Sequence, residues 1–324
     1  MINNDRAVSI VADSRACGIQ RKGLVSGITS GALWGLDTVL TGVILRMVPF
    51  IETPEAIFLA PFISAFLHDM FSSLWMIIYM LLTKQLKQLI RAIKTKSGRY
   101  ICVAAIFGGP IGMASYLLAI KYIGAGYTAS ISSIYPAVGA FWAYLFLKEK
   151  LNKRGFIGLG LSIISVIVLG YSPNKIDGGN YVLGFSLALL CVIGWSLESV
   201  ICAYGMKDDE VTTAHALQIR QLVSTLFYGI IIIPLVGGIE ITFTAINSNI
   251  SILICLIALV GTASYMFYYT AIDSIGPVKA TVLNITYSIW AIIFDIIILG
   301  NPVTLKLILC SMIIILGSIM VSKN

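Results

Sequence analysis

Two short runs carry the chemistry legible in this chain: Trp34-Gly-Leu-Asp37 and Trp195-Ser-Leu-Glu198. Each sets an indole and a carboxylate three residues apart inside an apolar stretch, a spacing that places both on one helix face. A carboxylate at mid-bilayer costs roughly 2.5–3.5 kcal/mol on insertion scales, so two of them need a purpose. A ring beside an acid suits a cation. A quaternary ammonium head has no hydrogen-bond donor, so ring faces worth about 0.5–2 kcal/mol each and a counter-charge must hold it. Protonated silent acids, or acids bonded to a neighbouring helix, are the structural alternative for Asp37 and Glu198.

Further polar groups interrupt the apolar stretches. Tyr135 and Tyr287 each lie about ten residues into a hydrophobic run, and with Trp34, Asp37, Trp195 and Glu198 they complete the candidate binding set. His68-Asp69 falls inside another run. Adjacent helical residues point about 100° apart, so the two do not face one cavity together. They read either as a proton-coupling site, with Asp69 the better site candidate, or as an internal pair bridging helices. Arg220, flanked by Gln218 and Gln221, has three readings. It binds a substrate carboxylate, it neutralises Glu198 or a helix end, or it snorkels to the surface, the last two being favoured.

The elements that must position these groups follow from composition. The 324 residues are 58% hydrophobic and 11% charged, with mean hydropathy +0.93. Soluble domains carry about 25% charge, so an all-α polytopic membrane protein is expected. Windows of about 20 apolar residues predict ten spans: 24–47, 56–82, 100–122, 125–147, 155–171, 181–205, 212–236, 250–271, 278–299 and 304–321. The six cysteines are scattered without metal spacing, and protease or hydrolase motifs are missing. The expected class is therefore not an enzyme, with no cofactor and no metal.

Net charge +7 does not point to nucleic acid, because the basic residues sit between spans as orientation signals do. With the N-terminus inside, the inner segments hold 17 Lys and Arg, the outer ones 4, and Arg220 completes the 22. Both termini are thus expected to be cytoplasmic in a multi-pass cell-membrane protein, with the bilayer as partner. Residues 1–22 are polar and lack a signal-peptide core, which predicts a disordered cytoplasmic tail.

The chain also repeats itself. A shift of 161 lays Trp34 on Trp195, Leu36 on Leu197, Asp37 on Glu198 and Val39 on Val200. A shift of 152 lays Ala119-Ile120 on Ala271-Ile272, Ile123-Gly124 on Ile275-Gly276 and Tyr135 on Tyr287. Two five-helix units are expected, 23–172 and 181–321. Five is odd, so the second enters the membrane upside down. The basic run Leu147–Arg154 against the nearly neutral Leu299–Lys306 agrees with that inversion. Inverted repeats place a binding site at their interface near mid-bilayer. Gly23, Gly27, Gly31 and Gly35 recur every fourth residue, a face for close helix approach. Pro136 is expected to kink the fourth span beside Tyr135.

Ten spans as five plus five, Trp34-Gly35 in the first helix, Pro136 in the fourth and Glu149-Lys150 at its end resemble the drug/metabolite transporter superfamily, EamA-type. Asn301-Pro302 departs from that pattern, where the family often repeats Glu-Lys, which puts a symmetric role for the pair in doubt. Within the superfamily, Trp195 through Asp209 and Leu217–Leu222 look similar to bacterial choline permeases. The resemblance implies a transporter of a small organic cation working by alternating access. Uptake of choline or a related quaternary amine is the expected activity. Export of amino acids or other metabolites, with Arg220 as carboxylate anchor, is the alternative.

Overall fold

In hydrocarbon each backbone N–H must find its acceptor within its own segment, so long apolar runs fold as helices. The computed structural model describes residues 2–146, 148, 152–170, 180–205, 211–275 and 277–322. Glu149-Lys150 and Lys207-Asp208-Asp209, both part of the resemblance above, lie outside the described residues. Twelve helical segments follow one another among the described residues. They are α1 Ile2–Ile44, α2 Pro54–Leu82, α3 Leu86–Lys94, α4 Lys96–Ile123, α5 Ala125–Phe146 and α6 Lys153–Gly170. After them come α7 Tyr181–Gly205, α8 Thr213–Leu235, α9 Ile239–Ile246, α10 Asn249–Ile275, α11 Pro277–Leu299 and α12 Leu305–Ser322.

Eight of these, α1, α2, α4, α5, α7, α8, α10 and α11, contain stretches long and apolar enough to cross a membrane. The expected spans 155–171 and 304–321 fall on α6 and α12, of 18 residues each. Such helices rise about 27 Å, a little under a hydrocarbon core of about 30 Å. The chain is a multi-pass, all-helical membrane protein. α1 begins at Ile2, so residues 2–22 run as helix into the first span. That stretch contains no proline and a single glycine, Gly18, so nothing stops the helix from extending.

Helix packing interleaves the two halves of the chain. α1 lies along α10 and α11, while α7 lies along α4 and α5. α2 packs on α10, α4 on α8, and α6 on α12. The glycine stripe of α1 is its contact surface. A Cβ on Gly27 would meet Leu283 at 2.6 Å, and one on Gly35 would meet Trp290 Cβ at 2.7 Å and the Ala291 nitrogen at 2.8 Å. Gly194 of α7 does the same against α4, where a Cβ would stand 2.7 Å from the Phe107 carbonyl oxygen. Without hydrophobic drive between helices in lipid, such close backbone approach supplies the packing.

Four helices depart from α geometry near the centre, α8 through a π-helical stretch at Tyr228–Ile232. α4 passes through a π-helical stretch at Phe107–Met113, around Gly108-Gly109-Pro110. α5 breaks into Ala125–Ser132 and Tyr135–Phe146, and α11 into Pro277–Asn284 and Tyr287–Phe294 before a π turn at Asp295–Leu299. Each break comes just before a tyrosine. Pro136 contributes to the first, since it has no N–H for the Ser132 carbonyl. The second break has no proline at all.

Replacing Gly35 with Val is expected to overpack α1 against α11 and cost about 1–3 kcal/mol. Gly160→Ala on α6, where a Cβ meets nothing within 4 Å, is expected to be neutral. Thermal unfolding of the purified variants in detergent checks this, and equal midpoints for the two would refute the packing assignment.

Candidate functional site

The interleaved helices leave a half-open cavity of about 690 Å³ between α1, α4, α5, α7, α8, α10 and α11. Its wall includes Trp34, Tyr135, Trp195, Glu198, Arg220, Tyr265, Tyr268, Tyr269, Asn284 and Tyr287. Aromatic rings and one ion pair dominate that surface.

Trp195 is the hub of the rings. Its ring centroid lies 6.0 Å from Trp34, 4.9 Å from Tyr116 and 5.7 Å from Tyr135. Trp34 also meets Tyr265 edge-on at 5.3 Å. Such pairs contribute about 0.5–1.5 kcal/mol beyond area burial and hold each ring in one orientation. Backbone and hydroxyl groups fix them further. Trp195 Nε1 donates to the Gly108 carbonyl at 3.1 Å, a group in the π-helical stretch of α4. Thr38 donates to the Trp34 carbonyl at 2.9 Å, so Tyr116 is left to donate to Thr38 Oγ1 at 2.7 Å. Tyr287 donates to Ser132 Oγ at 2.6 Å across the two broken helices, because the Ser132 proton is engaged by the Ala129 carbonyl.

Behind the rings runs a chain of buried charges. Arg220 Nε donates to Glu198 Oε1 at 2.7 Å, and its Nη1 stands 3.7 Å from Asp69 Oδ1 and donates to Gln221 Oε1 at 3.2 Å. The guanidinium also lies 5.8 Å from the centroid of Tyr265. Asp69 accepts from Ser224 Oγ at 2.5 Å. His68 Nδ1 is 3.7 Å from Asp69 Oδ1 and has no hydrogen-bond partner among the described residues, whereas its Nε2 bonds Asp37 Oδ1 at 2.9 Å. Three carboxyl groups thus share one guanidinium and one imidazole. Removing one partner from such a buried pair typically costs 3–5 kcal/mol, since the other charge is left alone.

Placement differs among the residues singled out from sequence. Trp34, Tyr135, Trp195, Glu198 and Tyr287 share the cavity wall. Asp37 is not on it: this acid is 1% exposed and turns away from the cavity to His68 of α2. Spacing i, i+3 leaves two side chains about 60° apart on a helix. α7 turns both Trp195 and Glu198 toward the cavity, whereas in α1 the same offset sends Asp37 to another helix. Gly261 of α10 makes room there, since a Cβ would stand 2.9 Å from Asp37 Oδ1. His68, Asp69 and Gln221 are likewise off the wall, linked to it through Arg220. Of the readings of Arg220, pairing with Glu198 is the geometry found, and the residue is buried, not snorkelling.

Sequence reasoning missed several members of the site. Gly108-Gly109-Pro110 supplies acceptor carbonyls to Trp195 and Tyr228, and a Cβ on Gly108 would collide with the Glu198 carboxylate. A paired glycine and proline inside an apolar span is the signal that points to an interrupted helix. Tyr265, Tyr268 and Tyr269 form a tyrosine-rich turn on α10, legible as Tyr265 and Tyr269 on one helix face. Asn284 had no signal beyond being polar within a span.

Comparison with known proteins agrees with this architecture. The sequence profile of the EamA-like transporter family matches residues 21–171 and again residues 182–323. Protein LicB of Haemophilus influenzae is 35% identical over 201 residues, 62% of this chain and 67% of that one. An uncharacterized transporter of Clostridium kluyveri is 25% identical over 227 residues, 68% of this chain and 70% of that one. Riboflavin transporter ImpX of Fusobacterium nucleatum is 23% identical over 312 residues, 93% and 98% of the two chains. A solved crystal structure superposes with TM-score 0.57 at 16% identity, covering 92% of this chain and 95% of that one, a likeness of fold. With helices that cross the membrane several times and a family profile matched in both halves, the chain belongs to the EamA-like transporter family.

Proposed function

We propose that this protein carries a small organic cation, choline or a related quaternary amine, into the cell by alternating access. One observation carries the reading: Glu198 lies on the wall of a cavity lined by Trp34, Tyr135, Trp195 and Tyr265, its side chain 17% exposed while those of Asp37 and Asp69 are at 1%. Ring faces and an accessible carboxylate are what a cation without hydrogen-bond donors requires. The family supports transport as the activity.

The same reading takes the chain as ten spans in two inverted units, 23–172 and 181–321. Trp34 and Trp195, related by the shift of 161, touch one another, as residues near a twofold axis do. α1 on α10 and α7 on α4 are the same contact in the two units, and a short helix, α3 or α9, follows the second span of each. The excess of Lys and Arg in alternate segments supports cytoplasmic termini in the cell membrane.

The charge chain supports coupling to protons. Asp37, Asp69 and Glu198 outnumber His68 and Arg220 by one. One further positive charge, a proton or a monovalent substrate beside Glu198, evens the count. His68 and Asp69 connect the inner acid, Asp37, to the wall.

A second reading, export of amino acids or other metabolites, draws on the cavity volume of about 690 Å³, which exceeds one quaternary amine, and on Arg220 in its wall. Glu198 already occupies the Nε of that guanidinium, which favours the cation.

Calorimetry with choline on purified protein is expected to show binding that weakens about tenfold, or 1–2 kcal/mol, in Trp195→Ala. Glu198→Gln is expected to reduce choline flux far more than it reduces yield. Parent-like values in both variants, or saturable binding of an amino acid in place of choline, would reject the cation reading. In proteoliposomes an inward proton gradient is expected to accelerate choline uptake, and His68→Gln to remove that acceleration. Flux that ignores the imposed gradient would rule out the coupling.

A further inference from the structure

The wall away from the ion pair holds neutral polar groups whose hydrogen bonds have a definite direction. Ser264 Oγ donates to the Ser30 carbonyl oxygen at 2.8 Å, which uses its proton. The two hydroxyls stand 3.5 Å apart. Ser30 Oγ accepts from Asn284 Nδ2 at 2.7 Å, which orients the amide. Its nitrogen faces Ser30 and its carbonyl oxygen, Oδ1, has no partner among the described residues. One turn earlier on α11, Thr281 and Tyr268 satisfy each other at 2.7 Å, and all three side chains line the cavity.

We infer that Asn284 is a specificity-determining residue whose side-chain oxygen accepts a hydrogen bond from a hydroxyl carried by the cation. The inference rests on the cation reading above and extends it: the substrate class is an amino alcohol, not any quaternary amine of suitable size. The ring-and-acid wall takes the ammonium head, which has no donor, while Asn284 on α11 reads the other end. A cation with a methyl group in place of the hydroxyl leaves the Asn284 oxygen desolvated and unpaired. Ser30 acts as a positioning residue, holding the amide in the orientation that presents an acceptor.

The test compares choline with n-propyltrimethylammonium, its isostere bearing CH3 in place of OH, by calorimetry on the purified full chain. The parent is expected to prefer choline by roughly tenfold, and Asn284→Leu to bring that ratio close to one. Equal affinities in the parent, or a preference that survives Asn284→Leu, would overturn the inference while the ring-and-acid site stands. Failure of the parent to bind either cation would remove the cation reading and this inference with it. Should Asn284→Leu bind neither ligand, Ser30→Ala decides. Releasing the amide is expected to shrink the preference several-fold, and an unchanged ratio refutes the assignment.

Discussion

The contact between Glu198 and Arg220 constrains everything around it. Two opposite charges at 2.7 Å inside a helical membrane protein are tolerable only with close, fixed partners. Arg220 meets that condition by reaching Glu198, Asp69, Gln221 and the face of Tyr265 at once. Glu198 meets it with one oxygen on the guanidinium and its carboxylate against Gly108, leaving 17% of its side chain exposed at the cavity wall. The acid is therefore held but not consumed. On the proposed reading a cation beside it would compete with Arg220, which has Asp69 as a second carboxylate within 4 Å. Binding at the wall and charge in the interior are thus one electrostatic problem.

That problem is posed by helices that pack unusually close. Glycines on α1 and α7 bring those helices against the opposite half of the chain, which sets Trp34 and Trp195 edge to face at the centre. Gly108 and Gly109 let Glu198 and Ser224 lie on the backbone of α4. The π-helical stretch there offers carbonyls to Trp195 and Tyr228. Such irregular backbone is tolerated at membrane depth only where it is buried in protein or lines a cavity. The breaks in α5 and α11, each just before a tyrosine, answer to the same condition.

Much of this was legible in the residues. Apolar runs of span length announced the helices, because a 58% hydrophobic chain with 11% charge has nowhere else to put its side chains. Trp195 and Glu198 on one face, Tyr135 and Tyr287 at matched depth, and the small stripe of α1 are periodicity read directly as geometry. The pairing of Arg220 was open among three outcomes, since nothing local says which acid a long cation will find. Tyr265, Tyr268 and Asn284 were passed over because single polar residues in apolar spans look alike until their neighbours across the bundle are known.

Asp37 marks the boundary between the two kinds of information. The chain alone determined that an indole and an acid sit three residues apart twice, because helical pitch is a local property of the backbone. Which way each pair faces was decided by tertiary packing. In α7 both residues meet the cavity, whereas in α1 the indole meets it and the acid meets His68. Identical spacing leads to different fates because α2 and Gly261 offer a buried imidazole and an empty Cβ position on one side only. Partner choice over such distances is a property of the assembled bundle, where charge must find charge, and no local run of residues contains it.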